Sequence, residues 1–395
     1  MTAPPGRPGR RLLALLLLHS TLTQVITFVV RPTSAYRALE LDVPTAWLGA
    51  LTASFAIVPL VLAVPSGQAT DRFGERRVML VGAVLLALSG AIFWTERGGA
   101  AGLVVGSVVL GTGHLLSVVG QQAAVANTAG PGRFDTAFGY YTFAASLGQA
   151  VGPALITLLG GSGALPDTAP IFATATALGV VLLACTALLR MPAPERVSGD
   201  AARGGMGTLL RLPGLVRALV ISCVVLSAVD ITLVYLPALG TDRGLAAGAV
   251  GLLLTLRAVA SMTSRFFLGR LVRLVGRRRL MIVSVALSAL SMAVVAVPMP
   301  TWAMGAVVVL LGLGLGVGQP LTMSWLAEVA PAGLRGRAMS LRLTGNRLGQ
   351  VLIPSAVGLV AAGVGAAGVL AATAAALAVV GVAARRLAVD GGSSA

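Results

Sequence analysis

The segment Gly67-Gln68-Ala69-Thr70-Asp71-Arg72-Phe73-Gly74-Glu75-Arg76-Arg77 occurs twice in this chain, the second time in degraded form. The copy reads Gly269-Arg270-Leu271-Val272-Arg273-Leu274-Val275-Gly276-Arg277-Arg278-Arg279, at an offset of 202 (269 minus 67). Both copies sit between long apolar runs. Two further landmarks repeat at nearly the same spacing. Gly148-Gln149-Ala150-Val151-Gly152-Pro153 returns as Gly349-Gln350-Val351-Leu352-Ile353-Pro354, at 201 (349 minus 148), and Gly120-Gln121 returns as Gly318-Gln319, at 198 (318 minus 120). Three landmarks with almost one spacing predict a chain made of two related halves.

The material between the landmarks is suited to lipid. Of 395 residues, 56% are hydrophobic and 11% charged, with 50 glycines and a mean hydropathy of +0.92. A soluble domain carries roughly a quarter charged residues, so this chain has too little polar surface to face water. About 20 apolar residues cross a hydrocarbon core. Runs of that length fall at roughly 12–30, 45–65, 78–95, 101–122, 136–160 and 169–189, then at 214–237, 246–268, 279–297, 302–325, 338–361 and 366–384. The expected fold is an all-α polytopic membrane protein with twelve transmembrane helices in two pseudo-symmetric six-helix bundles. Its domains are 1–190, a cytoplasmic linker 191–213 and 214–395. The polar, Pro- and Gly-containing break Arg190–Arg211 suits such a linker. Arg7, Arg10 and Arg11 before Leu12–Leu18 imitate a signal peptide, but the apolar run continues through Val25–Val30 without a small-residue cleavage site and reads as the first span.

The formal charge of +16 comes entirely from arginine, since the chain has no lysine. Position explains the excess. With the N-terminus inside, Arg31, Arg37, Arg97 and Arg243 face outward. Arg7, Arg10, Arg11, Arg72, Arg76, Arg77, Arg133, Arg190, Arg196, Arg203, Arg211, the cluster Arg270–Arg279, Arg335, Arg337, Arg385 and Arg386 face inward. That is the positive-inside pattern, directed at anionic headgroups rather than nucleic acid. The chain reads as a multi-pass protein of a bacterial-type inner (plasma) membrane with both termini cytoplasmic. Cys185 and Cys223 lie within apolar runs without a partner at motif spacing and read as buried thiols.

On these residues the chain resembles the major facilitator superfamily over essentially its whole length. The loop Gly67–Arg77 is similar to that family's signature G-x-x-x-D-R-x-G-R-R, with Glu75 in place of one arginine. The resemblance implies two bundles that rock about a central cavity, and a cytoplasmic gate comprising Gly67, Asp71, Arg72, Gly74, Arg76 and Arg77. In that gate Asp71 holds the halves together in the outward-open state. Physical chemistry agrees with this role, because Gly67 and Gly74 permit a tight turn and Asp71 suits the free backbone donors of a helix N-terminus. The alternative is a merely tight basic loop. Gly139, Gly148, Gly152 and Pro153 resemble the G-x8-G-x3-G-P motif of the family's proton-coupled drug antiporters, although Ile156-Thr157 replace the glycine pair that ends it. The alternative for these glycines is generic close helix packing.

Ionisable groups inside spans cost roughly 2.5–3.5 kcal/mol each, so the few present are candidates for coupling or substrate binding. Asp230 is the acid well inside a span and Arg257 the clearest central base. The short connection between their helices predicts that they pair, either as a static tie or as a proton-coupling site. Polar stripes at helical spacing add His19, Thr23 and Thr27 beside Ser20 and Gln24, then His114, Ser117 and Gln121 beside Gln122. A third stripe is Arg342, Asn346 and Gln350 beside Arg347. Each stripe would face a hydrated cavity or another helix. The two histidines, His19 and His114, titrate near neutrality when unperturbed; without further ligands they form no metal site.

The leading functional expectation is a secondary transporter driving proton-coupled export of small organic or drug-like compounds. An importer or facilitator of an organic metabolite is the alternative within transport, and a non-transporting receptor or scaffold the alternative outside it. A lysine-free chain has no phosphate-binding G-x-x-x-x-G-K-[ST] loop, which excludes an ATP-driven pump built on that motif. No nucleophile and base arrangement marks an enzyme, and no cofactor is implied. The expected partners are a small-molecule substrate, protons or another coupling ion, and the bilayer.

Overall fold

The computed structural model describes residues 10–41, 46–95, 99–130, 132–160, 166–191, 205–212, 214–245, 247–331, 333–360 and 365–384. Most of the predicted linker 191–213 lies outside the described residues, as do Arg7, Arg97, Arg196, Arg203, Arg385 and Arg386. The helices are α1 Arg10–Glu40, α2 Ala46–Phe73, α3 Glu75–Trp94, α4 Gly99–Thr128, α5 Phe134–Leu159, α6 Thr168–Leu188 and α7 Gly205–Leu210. They continue with α8 Leu215–Asp242, α9 Ala247–Phe266, α10 Leu268–Val275, α11 Arg277–Ala296, α12 Thr301–Val329, α13 Arg335–Val360 and α14 Gly365–Ala384. The described residues contain no strand.

Apart from the short α7 and α10, each helix lies where the sequence predicts a span. Among the described residues, nine helices are long and apolar enough to cross a membrane, or ten when the pair α9 and α10, bent by 65°, counts as one span. The ends of the first two spans differ most from expectation, and α2 runs past residue 65 to Phe73, so Gly67 and Asp71 lie on a helix rather than in a loop. The first span, expected to end near residue 30, continues as α1 through Pro32 to Glu40. Proline is tolerated inside membrane helices, where neighbouring groups satisfy the freed carbonyl.

The repeated loop builds the same turn twice. Gly74, between α2 and α3, has φ 88° and ψ 152°, and Gly276, between α10 and α11, has φ 83° and ψ 145°. Side chains rarely adopt this region. The two glycines therefore explain why both copies keep them while the residues around them diverge.

The chain divides into two compact units. Unit 1 holds residues 1–130, 144–198 and 331–341; unit 2 holds 131–143, 199–330 and 342–395. Each unit thus takes the first turns of a helix whose remainder belongs to the other. In unit 1, α3 packs on α4 and α6, α2 on α4, and α1 on α6. In unit 2, the corresponding helices make the corresponding pairs: α11 on α12 and α14, α9 on α12, and α8 on α14. The core of unit 1 includes Ile26, Val30, Leu86, Leu110 and Leu182, with Phe93 and Phe172 stacked at 5.1 Å. Glycines let the backbones approach. A Cβ on Gly113 would meet the Gly82 carbonyl at 2.9 Å, and one on its counterpart Gly314 would meet the Ser284 carbonyl at 2.7 Å. Large apolar side chains line the outside, with Trp302 79% and Leu158 77% exposed. That is an unfavourable surface in water and the expected one in lipid.

Candidate functional site

In unit 1 the end of α2 grips the beginning of α13. The Asp71 carboxylate accepts the Gly336 backbone N–H at 2.7 Å and the Arg337 N–H at 3.1 Å, one on each oxygen. The Arg337 Nε lies 3.6 Å away. These are free donors of a helix N-terminus, whose partial positive charge favours an anion. Gly67 makes the approach possible, because a Cβ there would meet the Gly336 carbonyl at 2.7 Å and collide with Ser340. Arg335 reinforces the clasp by donating to the Ala126 carbonyl at 2.8 Å and to Asn127 Oδ1 at 3.2 Å. Asn127 in turn donates to Glu75. Asp71 lies beyond the apolar part of α2, and burial there raises its pKa from 3.8 to about 7. The two backbone N–H groups and the Arg337 charge act in the opposite direction.

The other residues of the predicted gate are positioned differently. Arg72 is exposed and stacks over Phe73 at 5.2 Å. Arg76 donates to the Ala187 carbonyl at the end of α6 at 2.8 Å, and Arg77 is exposed. The loop therefore brings Gly67 and Asp71 onto α13 and points its arginines elsewhere.

Unit 2 contains a clasp that the sequence reading missed. Arg277, at the start of α11, donates from Nε to Asp135 Oδ1 at 3.2 Å and from Nη2 to Asp135 Oδ2 at 2.8 Å. Its Nη1 reaches Glu328. Asp135 lies in the first turn of α5. Gly269, the counterpart of Gly67, packs against Thr136 in that same turn. A signal for this clasp was present: the offset of 202 aligns Arg277 with Glu75, and Asp135 is a lone acid opening a helix.

The four residues of the helix-five motif fall in both units. In unit 2, a Cβ on Gly139 would meet the Arg265 carbonyl at 2.5 Å, so α5 lies on α9 there. In unit 1, Gly148 packs on the Thr21 carbonyl and Gln24, and a Cβ on Gly152 would meet Phe28 at 2.8 Å. Thr21 also donates to the Ala144 carbonyl at 3.0 Å. Gly148 and Gly152 thus form a ridge directly on the α1 backbone, while Pro153 is exposed.

The predicted polar stripes assemble into a cluster in each unit. In unit 1, Gln121 Nε2 lies 2.7 Å from His19 Nδ1 and donates to Thr23 at 3.0 Å. His114 Nδ1 lies 3.0 Å from Thr27, and its ring packs at 5.9 Å from Phe55. Gln24 is buried beside Gly148. His19 Nε2 is buried without a hydrogen-bond partner among the described residues. In unit 2, the repeat partner Gln319 donates to the Ser222 carbonyl at 2.7 Å and accepts from Arg342 at 2.8 Å. Arg342 also donates to Ser222 Oγ at 3.1 Å, and Ser222 donates to Asn346 at 2.8 Å. Gln121 and Gln319 therefore perform the same task, tying α4 to α1 in one unit and α12 to α8 in the other.

Asp230 accepts a hydrogen bond from Gln350 at 2.7 Å, and Gln350 accepts one from Arg347 at 3.2 Å. Arg257 is buried and within electrostatic reach of Asp230, with its Nε unpartnered among the described residues. Arg265, which the sequence reading passed over, donates to the Gly316 carbonyl at 3.3 Å. Among the described residues no three His, Cys, Asp or Glu side chains are grouped so as to hold a metal ion.

The family model described as Major Facilitator Superfamily matches residues 13–246 and 218–392. A tetracycline resistance protein, class G, from Vibrio anguillarum is 31% identical over 178 residues, which are 43% of this chain and 42% of that protein. The chain therefore matches less than half the length of this relative. Among solved structures, the E. coli fucose:proton symporter FucP superposes with a TM-score of 0.80 at 15% identity, over 94% of this chain and 97% of that one. The human organic anion transporter MFSD10 (TETRAN) gives 0.76 at 18% identity, over 95% and 99% respectively. At such identities the structural likenesses establish the fold alone.

Proposed function

Because the chain belongs to the major facilitator superfamily, we propose that this transporter exports small amphipathic organic compounds in exchange for protons, by alternating access. It spans the membrane many times and is not an enzyme. In the proposed reading it lies in a bacterial plasma membrane with both termini cytoplasmic. The observation that carries export is the ridge of Gly148 and Gly152 on the α1 backbone, which resembles the antiporter motif. The tetracycline resistance relative, matched over part of its length, supports the same direction.

The two clasps act as gates in this account. Asp71 holds the first turn of α13 and Arg277 the first turn of α5. Both helices continue into the other unit, so release of these turns frees them to move. Asp230 carries the coupling proton. Protonation removes a charge that costs free energy within a span and makes the carboxyl a donor, which changes what Gln350 and Arg347 can bond. In unit 1, His19, His114, Gln24 and Gln121 form a polar cluster with hydrogen-bonding groups for substrate, and in unit 2 Asn346 and Arg347 offer such groups.

A second reading is a facilitator or importer of an organic anion. The buried guanidinium of Arg342, with Arg257 and Arg265 in the same unit, favours it. The human structural relative is an organic anion transporter, which agrees with this reading.

The test is uptake of a compound panel, tetracyclines and organic anions included, into inverted vesicles with an acidic lumen. Accumulation of amphipathic compounds that collapses in Asp230→Asn supports proton-driven export. Equilibration of anions that ignores the gradient, unchanged in the variant, replaces it with the facilitator.

A further inference from the structure

A groove of about 300 Å³ opens in unit 1 where the beginning of α1 meets the end of α6, lined by Arg11, Leu12, Leu15, Ala187, Leu188 and Arg190. Its lining is of two chemical kinds. Arg11 and Arg190 are exposed, and among the described residues neither has a carboxylate partner. Leu12 and Leu15 form an apolar floor that joins the buried cluster of Leu16, Met79, Ala124 and Leu189. Arg76 braces the groove by donating to the Ala187 carbonyl, and so adds a third guanidinium nearby without blocking it.

We propose that this groove is a binding site for an anionic phospholipid, with the headgroup phosphate between Arg11 and Arg190 and an acyl chain along Leu12, Leu15 and Leu188. The combination selects the occupant. A guanidinium pair matches phosphate oxygens in a bidentate fashion. The leucine floor has no use for a soluble anion but suits a hydrocarbon chain. Basic pockets between membrane helices at the headgroup level are the expected place for such lipids. None of the six lining residues belongs to the clasps or the polar clusters, so the proposal does not depend on the direction or substrate of transport. It gives two of the arginines expected to face inward a specific role beyond topology.

The test is native mass spectrometry of the full chain released from mixed phosphatidylglycerol and phosphatidylcholine. Wild type is expected to retain phosphatidylglycerol preferentially. Replacing Arg11 and Arg190 together by Gln should lower that preference about fivefold per arginine, the size expected for one cation at a membrane surface. Arg133→Gln, an exposed arginine elsewhere in the chain, should leave it unchanged. Leu15→Trp, which fills the floor and keeps both charges, should displace the lipid and carries the same test if the double variant does not fold. Undiminished preference in either groove variant would overturn the proposal. So would an equal loss in Arg133→Gln, which indicates a general charge effect, or displacement by millimolar inorganic phosphate, which indicates a soluble-anion site.

Discussion

The clasps of the two units hold equivalent helix beginnings with opposite charge. In unit 1 the repeated loop supplies the acid, Asp71, and α13 supplies backbone donors with Arg337 nearby. In unit 2 the loop supplies the base, Arg277, and α5 supplies the acid, Asp135. Residue 273, which corresponds to Asp71, is an arginine, and the gripping function has moved four residues along to the counterpart of Glu75. The shared elements are the glycine that lets the helices touch, Gly67 or Gly269, and the glycine that turns the chain, Gly74 or Gly276. Backbone geometry was retained through the duplication, while the electrostatic solution was replaced. The two solutions also respond differently to solution conditions. A guanidinium keeps its charge throughout the physiological range, whereas Asp71 changes protonation near pH 7.

The largest expected effect breaks the unit 2 clasp. Arg277→Gln leaves Asp135, with a side chain only 9% exposed, facing no cation, and should cost about 3 kcal/mol. Thermal unfolding in detergent reads this, and adding Asp135→Asn should recover most of the loss. If the double variant is no better than the single one, the pair is not the clasp. Next comes overpacking of the unit 1 clasp. Gly67→Leu should cost about 2 kcal/mol, because its side chain meets Ser340 and the Gly336 carbonyl. Gly345→Ala, on the same α13 but with nothing within 4 Å, should be neutral.

Asp71→Asn separates the clasps by pH. A carboxyl whose folded pKa is raised from 3.8 to about 7 contributes stability that is fully present below 3.8 and lost as pH rises through 7. Unit 1 should therefore loosen between pH 4 and 7 in the wild type, as read by hydrogen exchange at Gly336 and Arg337. The variant should remove that dependence and leave the exchange of unit 2 unaltered. A pH profile that survives the substitution belongs to some other group. The smallest effect is at Gln350. Replacing it by Leu should cost about 1 kcal/mol and shift the pH profile of transport, since its amide reaches Asp230.

Much of this fold was legible because lipid imposes strong rules. Span positions follow from apolar length, and the repeat follows from glycines whose backbone conformations allow little else. The gate proposed at Gly67 and Asp71 came from the likeness of this loop to the family signature, to which residue type added only that a carboxylate suits a helix N-terminus. What escaped depends on helix rotation and on partners far away in sequence. The short connection between their helices places Asp230 and Arg257 at similar depth, but says nothing of which way either side chain faces, so the contact from Gln350 was not foreseen. The stripe Arg342, Asn346 and Gln350 was visible as a face, but its partners Ser222 and Gln319 lie on other helices. The Arg277 clasp escaped because the degraded loop lacks the acid that marks the first copy.

The most direct test of the gating claim compares substrate binding with gradient-driven uptake in Asp71→Asn. The account predicts unchanged binding affinity and an uptake rate lower by about tenfold, the worth of one charge-assisted hydrogen bond. Wild-type uptake with equal binding would show that the Asp71 clasp is only a structural tie.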